Sequence, residues 1–160
     1  MNDFYTEQLV KRKSKAGWKL TLVALTAALF LIAYFVVAYA IIPATIMIVV
    51  DVVVFKRTNI EYEYLYVNGD LDIDKIYAKE SRKNMFEANM NDLEVLAPVG
   101  HPELKRYENL KGKKFISEFK DRKVYEMIIN EKGNHYKVIF EPNEKIIEGI
   151  QRIAPRKVFD

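Results

Sequence analysis

From Leu20 to Val50 the chain runs 31 positions without a charged side chain, and Asp51 is the one break before Phe55. A domain within 160 residues has no interior that could hide such a run, so a purely soluble reading fails. One helix over residues 20–55 would be about 54 Å long, against a hydrocarbon core of roughly 30 Å. A tight two-helix hairpin fits instead. The sequence predicts spans over 19–37 and 41–56, with a turn near Tyr39–Pro43. Pro43 suits the first turn of the second helix, where its missing N–H costs nothing. Tyr34 and Tyr39 are expected at the outer interface and Trp18 in the inner headgroup layer.

The flanks set the orientation. Lys11, Arg12, Lys13, Lys15 and Lys19 precede the run, and Lys56 and Arg57 follow it. Basic flanks stay in the cytoplasm, and only two crossings keep both clusters there. These seven residues and Trp18 are the expected contacts with the membrane surface. A cleaved signal peptide fits poorly, because its apolar stretch is normally about 7–15 residues and no small-x-small cleavage site followed by a polar segment is evident.

Asp51 has two readings. A buried intramembrane acid can serve as a proton or ion relay. Alternatively, its place near a helix end lets it reach the cytoplasmic interface or pair with a basic side chain there, which the lack of a second membrane carboxylate favours. In residues 1–17, Phe4, Tyr5, Leu9 and Val10 mark one face of a short helix with Asp3 as its N-cap. That face reads as an interfacial segment on anionic lipid, with a frayed tail as the other reading.

From Asn59 the period changes to two. Ile60, Tyr62, Tyr64 and Tyr66 alternate with Glu61, Glu63, Leu65 and Val67, a strand with an aromatic face. Such a face is a core element or, less commonly, a peptide-binding surface. Asn68-Gly69 is a strong hairpin signal. Further strands are expected at 71–78, 82–89, 92–97, 113–119, 123–130 and 135–141, making seven, with a long loop over 98–112 and a turn at 131–134. After Pro142, Ile146, Ile147, Ile150 and Ile153 form one stripe of a helix that Pro155 stops.

Seven antiparallel strands split four and three, closed by a C-terminal helix, resemble pleckstrin-homology-like (PH-like) domains. The stretches IEYEYLYVNGDLDIDKI (60–76) and VIFEPNEKIIEGIQRIAPRKVF (138–159) are similar to a family of small two-span membrane proteins of anaerobic Gram-positive bacteria, over residues 5–159. The resemblance implies an architecture rather than an activity. Its wider superfamily binds phosphoinositides, peptides or other proteins, or serves in assembly. Headgroup binding there relies on basic residues around the first hairpin. Here that hairpin is Val67–Asp70, followed by Asp72 and Asp74, and its acidic character argues against an inositol-phosphate site.

Charge sharpens the picture. The net charge of +3 and pI of 8.9 come from residues 1–57, which carry +4, while 58–160 carry −1. The folded part therefore offers no basic excess to nucleic acid. Lys79, Arg82 and Lys83, or Lys105, Arg106, Lys111, Lys113 and Lys114, are possible lipid-facing groups, but Glu80, Glu103, Glu108 and Glu118 are mixed among them as on an ordinary surface. Asp70, Asp72 and Asp74 suggest Ca²⁺, but an EF-hand needs Gly at position 6 and Glu at position 12, where Lys75 and Ser81 stand. With no cysteine, two histidines (His101 and His135), no phosphate loop and no nucleophile motif, the sequence supports no catalytic, cofactor or metal site.

The expected protein is an α+β membrane protein: a tail (1–17), a transmembrane helical hairpin (18–57) and a seven-stranded PH-like β-sandwich with a C-terminal helix (58–160). It is expected to be a multi-pass protein of the cell membrane with both termini and the β-domain cytoplasmic. Its expected partners are the bilayer and a protein partner or a second copy. Its expected role is a non-enzymatic scaffold; the alternative is a small transporter or regulatory subunit acting through the hairpin and Asp51.

Overall fold

The computed structural model describes residues 4–14, 16–35 and 41–160. Asp3, Lys15 and Tyr39 lie outside them. The order is β1 (Tyr5–Lys11), α1 (Ala16–Phe35), α2 (Ile41–Thr58), β2 (Ile60–Val67), β3 (Asp70–Tyr77), β4 (Ser81–Asn89), β5 (Leu93–Pro98), β6 (Gly112–Phe115), β7 (Tyr125–Glu131), β8 (Asn134–Phe140) and α3 (Glu144–Ile153). Two four-stranded sheets result, β1-β2-β3-β4 and β5-β7-β8-β6. Every pairing is antiparallel except β6 with β8.

The main departure from the sequence reading is the N-terminal segment. Tyr5–Lys11 is neither an interfacial helix nor a frayed tail: it is an edge strand paired along its whole length with β2, from Tyr5 opposite Val67 to Lys11 opposite Glu61. The sheets therefore have eight strands, four and four among the described residues. The helices lie between two paired strands, so residues 5–11 belong to the β-domain rather than to a separate tail. Beyond β1, Phe4 accepts from the Asn68 N–H (3.0 Å) and donates to its side-chain oxygen (2.8 Å). The Phe4 ring packs edge-on against Tyr66, 5.8 Å between centroids, under the Arg152 guanidinium of α3.

The turns follow the sequence. Asn68 and Gly69 both take positive φ, as a two-residue hairpin requires, and Lys132–Gly133 repeat this between β7 and β8. The 98–112 loop contains a 3-10 helix at Pro102–Tyr107. Strand β6 stops at Phe115, shorter than the expected 113–119.

The tyrosine face of β2 is core. Tyr62, Tyr64 and Tyr66 are buried, and Tyr62 and Tyr64 stack edge-on with Phe115 and Phe140. Their hydroxyls still need partners. Tyr64 donates to the Phe115 carbonyl, and Tyr66 to that of Gly149 at 2.8 Å. Burial raises both phenols, that of Tyr66 to about 12.

Helix α3 starts at Asn143, whose side chain accepts from the Ile146 N–H at 2.9 Å. Ile146 and Ile150 are fully buried, as the stripe predicts, whereas Ile153 stays 43% exposed. Gly149 is a packing requirement: a Cβ there would meet Phe4 Cε1 at 2.5 Å and Tyr66 Cε1 at 2.6 Å. Gly149→Ala is expected to destabilise the domain by about 1–3 kcal/mol through overpacking, outweighing a helix-propensity gain of roughly 1 kcal/mol. Thermal unfolding in detergent checks this, and an unchanged or raised midpoint would contradict it.

Candidate functional site

The end of the sandwich from which the helices emerge is tightly built. Arg12 N donates to Ile60 O at 3.0 Å, continuing the β1–β2 ladder past Lys11. Residues 12–15 lead into α1, and Asn59 alone separates α2 from β2. Asn59 O in turn accepts from Ala78 N at 2.8 Å, tying in the β3–β4 turn. A 48-residue excursion, 12–59, thus leaves and rejoins one sheet at neighbouring points.

This end gathers the basic residues singled out in the sequence. Lys11, Lys13, Lys56 and Arg57 are exposed, and Trp18 is 63% exposed. Arg12 pairs with Glu118, Lys56 with Glu80 at 2.8 Å, and Lys19 lies 5.4 Å from the Phe55 ring centre. Arg82 is drawn away from this end, pairing with Glu63 and lying 3.6 Å from Asp74. Lys79 and Lys83 remain exposed beside the turn.

The two helices touch along a narrow seam. Leu22, Thr26, Leu29 and Ala33 on α1, and Ala44, Met47, Asp51 and Val54 on α2, are covered at spacings of three and four, and small residues allow close approach. The other apolar side chains face outward, Leu20, Tyr34, Phe35 and Ile42 among them. Within the seam Thr26 Oγ1 donates to Asp51 Oδ2 at 2.7 Å. Asp51 therefore joins the helices rather than pairing with a basic side chain. Its other oxygen has no hydrogen bond among the described residues. A hydrogen bond of this kind contributes about 0.5–1.5 kcal/mol. Sequence spacing could not reveal it, because Thr26 is 25 residues away.

Two polar clusters lie elsewhere. The outer face of the first sheet aligns Glu7, Glu61, Glu63, Asp70, Asp72, Asp74 and Glu87 across four strands. Asp72 and Asp74 are half-buried, and Glu61 and Glu63 are buried. Burial and then neighbouring acids raise the Asp72 carboxyl, and burial raises that of Glu63 although Arg82 opposes it. On the second sheet Glu94 accepts from Tyr107 Oη and from Asn130 Nδ2 (3.3 Å), and lies 3.0 Å from His135 Nε2. The Tyr107 hydroxyl is the main cause of a lowered Glu94 carboxyl. Neither Glu94 nor Tyr107 stands in a local motif, so no spacing signal could have found this cluster. Among the described residues no group of three or more histidine or acidic side chains converges on a metal position.

Two twisted sheets closed at one end by an amphipathic C-terminal helix bring the family into view. The family model "Bacterial PH-like domain (DUF6106)" matches residues 2–160. The chain belongs to this family. Comparisons with curated proteins and with solved structures give no significant match. The pairing of β1 with β2 corrects how the loops of this domain are counted. The Val67–Asp70 hairpin joins β2 to β3 and is not the first connection. The β1–β2 connection is the helical excursion itself, so the basic residues at its base occupy the place where the sequence reading found only acids.

Proposed function

We propose that this chain is a membrane-anchored PH-like scaffold, with α1 and α2 crossing the bilayer as a hairpin and the β-domain held on the cytoplasmic surface. The observation that carries this reading is the β1–β2 pairing. Strands in register on both sides of the excursion bring its two ends together, which supports two crossings over one. Of the described helices, Gly17–Phe35 is long and apolar enough on its own, with mean hydropathy 1.8. Helix α2 carries Asp51 and has Lys56 and Arg57 in its last turn, so the part before them, 41–55, reaches about 22 Å. Packing on α1 through Thr26 and Asp51 supports the shorter helix. The basic residues at the base favour the cytoplasmic leaflet, each contributing about 1 kcal/mol near anionic lipid.

An anchor joined to the sheet by one residue on one side and four on the other would hold the domain close to the bilayer. Such a domain raises the local concentration of a protein partner or second copy in the plane. Photo-crosslinking from the β-domain in native membranes, after alkaline extraction, tests the role. The expected result is a chain that resists extraction and crosslinks to a defined protein neighbour or to itself. Release by alkali, or crosslinks to lipid alone, would overturn it. The transporter alternative rests on Asp51, whose second oxygen lacks a hydrogen bond among the described residues, and Asp51→Asn separates the two: a scaffold keeps its crosslinks and a relay loses function.

A further inference from the structure

The connection between β6 and β7, residues 116–124, is held by contacts that leave an aromatic side chain in solvent. Ser117 is buried at its base. Its N–H and hydroxyl donate to the buried Glu141 carboxylate at 3.1 and 2.9 Å, and its Oγ accepts from Phe119 N at 3.2 Å. Glu118 takes a left-handed φ of +66°, a conformation that costs a residue with a Cβ, and Arg12 pairs with its side chain. Despite this ordering Phe119 is 42% exposed, followed by exposed Lys120, Arg122 and Lys123 against one acid, Asp121.

The location of the loop gives the exposed ring a purpose. Ser117 O accepts from Lys13 N at 2.8 Å, three residues before α1 begins. The loop is therefore fastened to the point where the helices leave the domain. An apolar aromatic ring flanked by basic residues favours the headgroup–acyl boundary of anionic membranes. We propose that Phe119 is a third membrane contact, seated at the cytoplasmic headgroup–acyl boundary beside the base of the hairpin and fixing the tilt of the domain. This rests on the anchoring reading above. It adds a contact that the hairpin does not require.

The chain has no cysteine, so Phe119→Cys in the full-length protein takes a single nitroxide label. In vesicles of phosphatidylcholine and phosphatidylglycerol, oxygen is expected to relax this label more effectively than a water-soluble nickel chelate. A label at Asp70→Cys, at the start of β3 opposite Val67 and about 23 Å from Ile60 by strand rise, is expected to do the reverse. Should labelling disturb the loop, Phe119→Trp in a Trp18→Phe background gives a second reading, with emission lost to bromine-labelled acyl chains. A protein that floats with the vesicles while position 119 stays wet and unquenched would overturn the Phe119 contact and leave the anchor standing. Failure to float would overturn both.

Discussion

Removal of residues 1–11 is expected to leave a β-domain that does not fold, even though those residues precede the hydrophobic helices. β2 would lose the partner along one entire edge, and the Tyr66 ring would lose Phe4. The loss reaches further. Gln8 Nε2 donates to Glu141 O at 2.7 Å, and Gln8 Oε1 accepts from Asn143 N at the same distance, so β1 also holds the start of α3. Burying side chains such as Phe4 and Val10 contributes about 1.5–3 kcal/mol each. Unsatisfied buried partners of Gln8 would cost about 1–3 kcal/mol more. Together these approach the 5–15 kcal/mol that holds an ordinary domain. A fragment of residues 58–160 should show no cooperative thermal transition. A sharp transition would mean that β1 is dispensable.

The complementary change has the opposite outcome. With residues 13–58 replaced by a few Gly and Asn residues, the remaining chain is expected to be soluble and folded. Arg12 and Ile60 are already hydrogen-bonded across the ladder, so a short turn can close the strands without moving them. The variant loses the Lys13–Ser117 and Thr26–Asp51 bonds, but the second lies wholly within the excised helices. Size-exclusion chromatography and near-ultraviolet dichroism in detergent-free buffer read the result: a folded species in aqueous solution. Aggregation, or a need for detergent, would mean that the helices are part of the domain's core.

Most of the helices and strands were legible because their side-chain periods are strong. The uncharged run, the alternating tyrosines, the Asn68-Gly69 turn and the isoleucine stripe each correspond to an observed element. Strand β1 was not legible, for a physical reason. Its inward positions are Thr6, Gln8 and Val10, and Gln8 is satisfied by backbone groups of residues 141 and 143, so the polar–apolar alternation that marks a strand is missing. That one omission also misassigned the loops, since without β1 the Val67–Asp70 hairpin looked like the first. The alternation of β2 does not show that Glu61 and Glu63 are covered, which follows from the place of β2 between two strands. The Thr26–Asp51 bond and the Ser117–Glu141 pair join residues distant in the chain, and no local pattern encodes such meetings.

The central claim is that a paired sheet brackets the hairpin and keeps both of its ends on one face of the membrane. Single cysteines introduced as Ser14→Cys, Tyr39→Cys and Asp70→Cys, probed with a membrane-impermeant maleimide in intact cells and in inverted vesicles, test it most directly. Positions 14 and 70 are expected to react only in inverted vesicles, and position 39 only in intact cells. Reaction of 14 and 70 from opposite sides would contradict the account.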